Sequence, residues 1–167
     1  LLDVLYALKM YDGEHHKVVL NIVGWEEVGN EHTIMLKNLA IELGIEDQLV
    51  FHGKKMIGDE LNYYYRTSDI FIMPSYHEGF PRTIWEAMGN SLPIIATKVG
   101  SIPYLLSNNE NALLISPKDP KQIAEAINEI SSNSGLRKKV IKNAYQLAKD
   151  YTMESQLPKV FAELAKA

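Results

Sequence analysis

The stretch DIFIMPSYHEGFPRTIWEAM, residues 69–88, decides how this chain is expected to fold. Residues 69–73 predict a short buried strand, a Pro/Ser/Gly turn follows, and residues 81–91 have the apolar spacing of a helix. Two glutamates lie eight positions apart, Glu78 just before the helix and Glu86 about one turn inside it. Ligands of α/β proteins bind where a strand ends and the next helix begins, so we expect the binding site here.

The residue types at this turn indicate a ligand that carries both phosphate and hydroxyl groups. Free N–H groups of Gly79, Phe80 and Arg82 at a helix start favour a phosphate or sugar oxygen. Carboxylates repel phosphate but accept hydrogen bonds from sugar hydroxyls, which gives Glu78 and Glu86 a reason to be there. The alternatives are an exposed helical carboxylate at Glu86 and, at Glu78, a charge that stabilises the helix N-terminus.

Composition excludes several other classes of protein. The 167 residues fit one domain, and 46% hydrophobic with 23% charged residues is typical of a globular domain. The net charge of −4 argues against a nucleic-acid-binding surface. The absence of cysteine excludes disulfides and thiolate metal sites, and the histidines lack metal-ligand spacing. Neither a Walker loop nor Gly-x-Gly-x-x-Gly occurs, and no apolar run reaches the roughly 20 residues of a membrane helix.

Strands and helices alternate along the whole chain. This pattern predicts an α/β, Rossmann-like three-layer sandwich with a mostly parallel sheet. Gly44 is expected to end one of the helices as its C-cap. The predicted strands are 17–24, 50–53, 69–73, 91–97 and 112–115, and the predicted helices are 1–11, 30–44, 58–67, 81–91, 102–106, 121–132, 134–150 and 153–166. In the helix at 58–67, the triplet Tyr63-Tyr64-Tyr65 is expected to serve helix packing, with two of its rings exposed.

The ordered set of motifs resembles that of retaining glycosyltransferases of the GT-B fold, in the large family-four group that uses nucleotide sugars. Their frame Pro-Ser-x-x-Glu-Gly-Phe, followed by Glu-Ala-Met, stands here at residues 74–80 and 86–88. The resemblance covers roughly residues 1–150. Further matching stretches are Ile22-Val23-Gly24, Phe51-His52-Gly53 and residues 92–96, 99–103 and 111–117.

This resemblance implies that residues 1–167 are a single nucleotide-sugar-binding domain, the C-terminal half of a GT-B enzyme. The helix at about 151–166 is expected to pack on an N-terminal domain. The implied activity is retaining transfer of a hexose-type sugar from a UDP-, GDP- or ADP-sugar to a polysaccharide or glycolipid acceptor, as in capsule or lipopolysaccharide synthesis. No metal or other cofactor is expected. The implied location is the cytoplasm, peripheral to the inner face of the membrane.

The resemblance also implies roles for individual residues. Glu86 would bind the ribose hydroxyls of the sugar donor, and Glu78 would contact the transferred sugar at the reaction centre. Arg82 would approach a phosphate or cover the helix start with its stem. The other implied contacts are backbone ones, at Gly79, Phe80, Gly24 and Gly53.

The chain departs from the family pattern in several places. Family members place a Gly-Arg strand and a Lys-Gly before the first helix, and these cations, which neutralise the diphosphate, are absent here. We therefore expect an incomplete sheet, a gap filled by other chain, or self-association through exposed edges. Trp25-Glu26-Glu27-Val28-Gly29 replaces a glycine pair, so Trp25 either stacks on a base or packs as an ordinary indole. Ser101 and Gly89-Asn90-Ser91 also differ from the pattern.

Two other functions fit the same motifs. One is a non-catalytic nucleotide-sugar-binding or scaffolding module that keeps the fold. The other is a GT-B nucleotide-sugar epimerase, which product analysis of the full-length protein would separate from a transferase.

Overall fold

A computed structural model describes residues 1–11, 17–24 and 30–165 of the chain, without the Glu163 side chain. Its elements agree with the predicted ones to within about three residues at each end. The strands are β1 (Leu20–Val23), β2 (Leu49–Gly53), β3 (Phe71–Met73), β4 (Ile94–Thr97) and β5 (Leu113–Ile115). The helices are α1 (Leu2–Met10), α2 (Glu31–Leu43), α3 (Asp59–Thr67), α4 (Arg82–Gly89), α5 (Ile102–Leu105), α6 (Pro120–Ser132), α7 (Ser134–Asp150) and α8 (Met153–Leu164), with a 3-10 turn at Glu46–Gln48.

The described strands form two parallel sheets. β1 pairs with β2, with Leu20 opposite Leu49. β4 lies between β3 and β5 in the second sheet, with Phe71 opposite Ile94 and Ile95 opposite Leu113. The separation of β1 and β2 from the other three strands agrees with the expectation of an incomplete sheet.

Alternation along β4 produces three layers, because successive side chains of a strand point to opposite faces. Ile95 belongs to a core shared with buried residues of α1, α2 and α6. Ile94 and Ala96 belong to a second core, which buried residues of α3, α4 and α5 complete. All four β4 side chains are buried. The chain therefore has the predicted Rossmann-like arrangement of helices on both faces of parallel strands.

Helix α1 joins the two sheets into one unit. It packs against α2 and α6, and Leu5 is fully buried in the first core. The same core includes Ile95 and Ile115 of the second sheet and receives the partly buried Leu49 of the first. Apolar contacts from one helix layer therefore hold together two sheets that share no described ladder of hydrogen bonds.

Gly44 ends α2 as the sequence predicts. It adopts the left-handed conformation (φ 66°, ψ 39°), and its N–H donates to the carbonyls of Ala40 and Ile41. At the other end, the Asn30 side chain accepts a hydrogen bond from the N–H of His32. These caps satisfy backbone groups that a helix terminus leaves unpaired.

Pro81 precedes α4 as its N-cap, because its ψ of 131° is extended, so the helix begins at Arg82, one residue after the predicted start. The triplet Tyr63-Tyr64-Tyr65 was expected to expose two rings, but only Tyr63 is exposed, at 61%. Tyr64 packs on the His52 ring with 4.6 Å between centroids, and Tyr65 is buried.

Helix α8 lies at the edge of the fold, against α7. Five of its apolar side chains are exposed: Met153, Leu157, Val160, Phe161 and Leu164. The predicted packing of this helix on another domain stays a prediction. Among the described residues, no helix combines the length and the apolar character needed to cross a membrane.

Candidate functional site

The loop between β3 and α4, residues 74–81, contains the first of the two predicted acids. Glu78 is half-buried, and its carboxylate has no hydrogen bond or ion pair with any described residue. The sequence allows His77 either to orient Glu78 or to lie at the surface of the turn; it is exposed and forms no hydrogen bond or ion pair with Glu78. The Glu78 carboxylate is therefore available to a ligand at the end of β3.

Backbone N–H groups converge where this loop enters α4. No side chain caps the helix. Within the described residues, the N–H groups of Gly79, Phe80, Arg82 and Thr83 donate no hydrogen bond. The Thr83 hydroxyl is buried there and also lacks a described partner. Unpaired donors at a helix N-terminus attract anions, so this turn can bind a phosphate.

A tether formed by Thr97, Gly100 and Ser101 holds the loop from the end of β4. The buried Thr97 hydroxyl donates to the carbonyl of Ser75 at 2.6 Å. Ser101 donates twice to the carbonyl of Gly79, from its N–H at 3.0 Å and from its hydroxyl at 3.1 Å. These bonds fix the loop on both sides of Glu78.

Gly100 is the residue of this tether that lies closest to the backbone of the loop. Its φ is +55°, and a Cβ built on it would lie 1.8 Å from the carbonyl oxygen of Glu78. Only glycine fits this position without a shift of the turn. Ser101, which departs from the family pattern, supplies a hydroxyl to the same turn.

The second predicted acid, Glu86, is held by a tyrosine from another helix. The Tyr65 hydroxyl of α3 donates to the Glu86 carboxylate at 2.8 Å between Oη and Oε2. Burial of the phenol, together with this carboxylate, raises the pKa of Tyr65 above its ordinary value of 10.0. The phenol therefore stays protonated and donates to Glu86 throughout the neutral range.

The side chains of Phe80 and Arg82 face different surroundings. The Phe80 ring packs on Trp85 with 5.1 Å between centroids, and Trp85 in turn packs on Tyr151 at 5.6 Å. Phe80 therefore offers a ligand its backbone rather than its side chain. Arg82 is exposed and forms no ion pair within the described part of the chain, so its guanidinium is open to an anion.

Gly24 and Gly53 come together at the ends of β1 and β2. The Gly24 N–H donates to the Gly53 carbonyl at 3.0 Å, and Gly53 has a φ of +66°. Among the described residues, no atom lies within 4 Å of a Cβ built on either glycine, so the described part of the structure leaves the backbone open on this side. No described hydrogen bond connects this pair with residues 74–82. Trp25 and the rest of residues 25–29, which follow Gly24, are outside the described residues.

The family model for glycosyl transferases group 1 matches residues 1–147. The chain belongs to this family. A glycosyltransferase of Methanocaldococcus jannaschii is 29% identical over 131 residues, which are 78% of this chain and 32% of the relative. A D-inositol 3-phosphate glycosyltransferase of Corynebacterium efficiens is 28% identical over 134 residues, 78% of this chain and 31% of that protein. The group 1 domain thus spans about a third of the length of these relatives.

Solved structures show the same fold. Anabaena HepE in complex with UDP superposes with a TM-score of 0.86 at 21% identity, over 99% of this chain and 45% of that one. The C-terminal domain of LpcC, a group 1 protein from Francisella tularensis, gives 0.78 at 28% identity, over 89% of this chain and 77% of that one. These likenesses confirm the predicted α/β fold class with parallel strands.

Sequence reasoning missed three side chains of this group 1 domain. Tyr65 was assigned to helix packing, because it lies 21 positions from Glu86 and no local pattern connects the two. Tyr76, in the loop before Glu78, hydrogen-bonds to the Asp3 carboxylate of α1, which raises the pKa of its phenol. Lys118, after β5, places its Nζ 5.5 Å from the centroid of the same ring. The described residues contain no group of three acids or histidines that could hold a metal ion.

Proposed function

We propose that this group 1 domain binds the nucleotide-sugar donor of a retaining glycosyltransferase and forms the C-terminal half of a GT-B enzyme. One observation carries the proposal. The unpaired N–H groups of Gly79, Phe80, Arg82 and Thr83 lie at the start of α4, and the Glu86 carboxylate lies one turn further along the same helix. An anion-binding turn beside a hydroxyl-binding carboxylate suits a ligand that joins a diphosphate to a ribose.

Each group has one task in this proposal. Glu86 accepts hydrogen bonds from the ribose hydroxyls, while the N–H groups of Gly79, Phe80 and Arg82 bind diphosphate or sugar oxygens. Glu78 contacts the transferred hexose. The open backbone at Gly24 and Gly53 lets the nucleotide approach. Solved structures of Anabaena HepE contain UDP and UDP-glucose, which supports a nucleoside diphosphate as the ligand class.

Catalysis in this proposal comes from placement and electrostatics. The diphosphate leaves as an anion, and N–H groups aimed at it are worth most in a site that excludes water. Glu78 stays close to the sugar, where its negative charge stabilises the positive charge that develops at the anomeric carbon. The acceptor hydroxyl attacks on the face that the diphosphate leaves and passes its proton to the departing diphosphate oxygen, so the new bond replaces the bond to the diphosphate and the anomeric configuration is retained. No metal or further cofactor is assigned to the reaction.

The proposal extends to the whole enzyme. An N-terminal domain would supply the acceptor site, and the strand that family members place before the first helix would supply the cations. The acceptor would be a polysaccharide or a glycolipid, reached from the cytoplasmic face of a membrane. Product analysis of the full-length protein would show a glycosylated acceptor; an epimerised nucleotide sugar, or no product, would contradict transfer.

Nucleotide-dependent stability tests the binding step. At about 100 times its Kd, a ligand that binds only the native state stabilises it by about 2.7 kcal/mol. We expect UDP, GDP or ADP to raise the melting temperature, and Glu86→Ala to remove most of that rise. Glu125 on α6, an exposed helical carboxylate, provides the matched control, and Glu125→Ala should keep the full rise. A melting temperature unchanged by all three nucleotides would contradict the proposed function.

A further inference from the structure

Helix α3 brings a buried phenol to the Glu86 carboxylate. The Tyr65 side chain is 8% exposed, and its hydroxyl lies 2.8 Å from Oε2 of Glu86. This is the single hydrogen bond that the Glu86 side chain forms within the described residues. One carboxylate oxygen is therefore bound to the protein, and Oε1 accepts nothing from the described part of the chain.

The anchor of this bond is rigid. The Tyr65 ring contacts Phe71 of β3 at 6.0 Å between centroids and belongs to the core that contains Ile84 and Met88 of α4. A tyrosine has few rotatable bonds, and these contacts leave its ring little freedom. The hydroxyl is therefore a fixed point that holds the more flexible Glu86 side chain.

The chemistry of the pair suits a carboxylate that must receive a ligand hydroxyl. An ionised carboxylate has about four lone-pair sites, and the phenol occupies one of them. A charge-assisted hydrogen bond is shorter and stronger than a neutral one, so it favours one rotamer of Glu86. A phenol is protonated at neutral pH, and burial together with Glu86 raises the pKa of Tyr65 further, so Tyr65 donates its proton to the hydrogen bond without adding a second negative charge.

We propose that Tyr65 is the positioning residue of the sugar-donor site: it holds Oε2 of Glu86 so that Oε1 is presented to the ribose hydroxyls. This inference rests on the proposed function, because it assumes that Glu86 binds the ribose. It assigns to α3 a part in recognition that its sequence does not reveal. Tyr65 itself does not touch the ligand and acts through Glu86.

A purely structural role for the same bond makes a different prediction. If the hydroxyl only connected α3 to α4, its loss would weaken the binding of every nucleotide to the same extent. If the hydroxyl positions Glu86, its loss weakens the binding only of nucleotides that carry ribose hydroxyls. UDP and 2′,3′-dideoxy-UDP differ in these hydroxyls alone and therefore separate the two roles.

The test is isothermal titration of this 167-residue chain and its variants with both nucleotides. We expect Tyr65→Phe to weaken the binding of UDP about 3- to 10-fold, the range that corresponds to the net contribution of a typical intramolecular hydrogen bond, and to leave the binding of 2′,3′-dideoxy-UDP unchanged. In a Glu86→Ala background, Tyr65→Phe should have no further effect on UDP. Tyr64→Phe is the matched control, because Tyr64 is the neighbouring residue of α3 and its hydroxyl has no described hydrogen bond.

The outcomes distinguish this inference from the proposed function. Suppose that the wild-type chain binds UDP and that Tyr65→Phe weakens the binding of both nucleotides equally, or of neither. This result overturns the positioning role of Tyr65 and leaves the proposed function standing. Wild-type chain that binds none of UDP, GDP and ADP overturns the proposed function and this inference with it. Thermal unfolding of each variant without nucleotide checks that the fold persists, and Tyr65→Leu, which has no donor and does not overfill the core, supplies a second variant that lacks the phenol if Tyr65→Phe does not fold.

Discussion

Gly100 sets the position of the Glu78 turn at the scale of single atoms. A Cβ at this residue would lie 1.8 Å from the Glu78 carbonyl oxygen and 2.8 Å from that of Gly79. Both neighbours are backbone atoms, which cannot move aside as the end of a flexible side chain can. The left-handed conformation of Gly100 adds a further cost for any other residue.

We expect Gly100→Ala to lower the free energy of unfolding by about 2 kcal/mol or more, as measured by urea denaturation. Gly89→Ala is the control, because Gly89 ends α4 and nothing lies within 4 Å of its added Cβ. That variant should be neutral or more stable by about 0.5–1 kcal/mol. Equal stability of the two variants would show that the turn yields easily at Gly100.

Single residues also mark the limit of what the sequence can predict here. Glu78, Glu86 and Gly53 could be predicted as candidate site residues, because each belongs to a short motif at a strand end or helix start. The Tyr65–Glu86 hydrogen bond could not be predicted, because the two residues lie 21 positions apart in the sequence and meet only through the packing of α3 against α4. The reason for Gly100 likewise lies in its contact with residues about 20 positions earlier.

Individual helices and strands were easier to predict, because glycine and proline mark their ends. Gly44 stops α2 by adopting a conformation that few other residues tolerate. Pro81 is the N-cap of α4 rather than its first helical residue, because a proline ring fixes φ but leaves ψ free to be extended. The local sequence therefore predicts the approximate end of a helix more reliably than it predicts which residue is the cap.

Helix α8 differs from the other long helices in how little of it is buried. It packs along α7, exposes most of its apolar side chains, and contains Pro158, which removes an internal hydrogen bond. By contrast, α6 buries five side chains, including Ile123, Ile127 and Ile130. We expect amides of residues 153–164 to exchange hydrogen at least about tenfold faster than those of residues 120–132.

Hydrogen-exchange mass spectrometry of the isolated chain measures this contrast. Peptides from α7 provide an internal reference, since α7 contacts both helices. Protection of α8 equal to that of α6 would mean that another surface covers its apolar face in solution.

The molecule as a whole depends on α1, which lies over both sheets. Leu5 is fully buried, and we expect Leu5→Ala to lower the free energy of unfolding by about 3 kcal/mol. Met10→Ala on the same helix is the control, because Met10 is 56% exposed and its loss should cost less than about 0.5 kcal/mol.

The same variant tests whether the two cores unfold together. Circular dichroism reports on all helices, while the methyl resonance of Met88 reports on the second core, which lacks α1. Coincident shifts of the two urea transitions are expected for one cooperative unit. A shift seen by circular dichroism alone would mean that the second core holds without α1.

The hydrogen bonds from Ser101 to Gly79 connect the Glu78 turn to a helix whose surface is easy to reach. Tyr104, in the middle of that helix, is 88% exposed, and the chain contains no cysteine. Tyr104→Cys would therefore accept a single fluorescent label without background from other thiols. Movement of the turn on ligand binding would reach the label through Ser101, so the fold offers a place for an optical sensor close to the site but outside it.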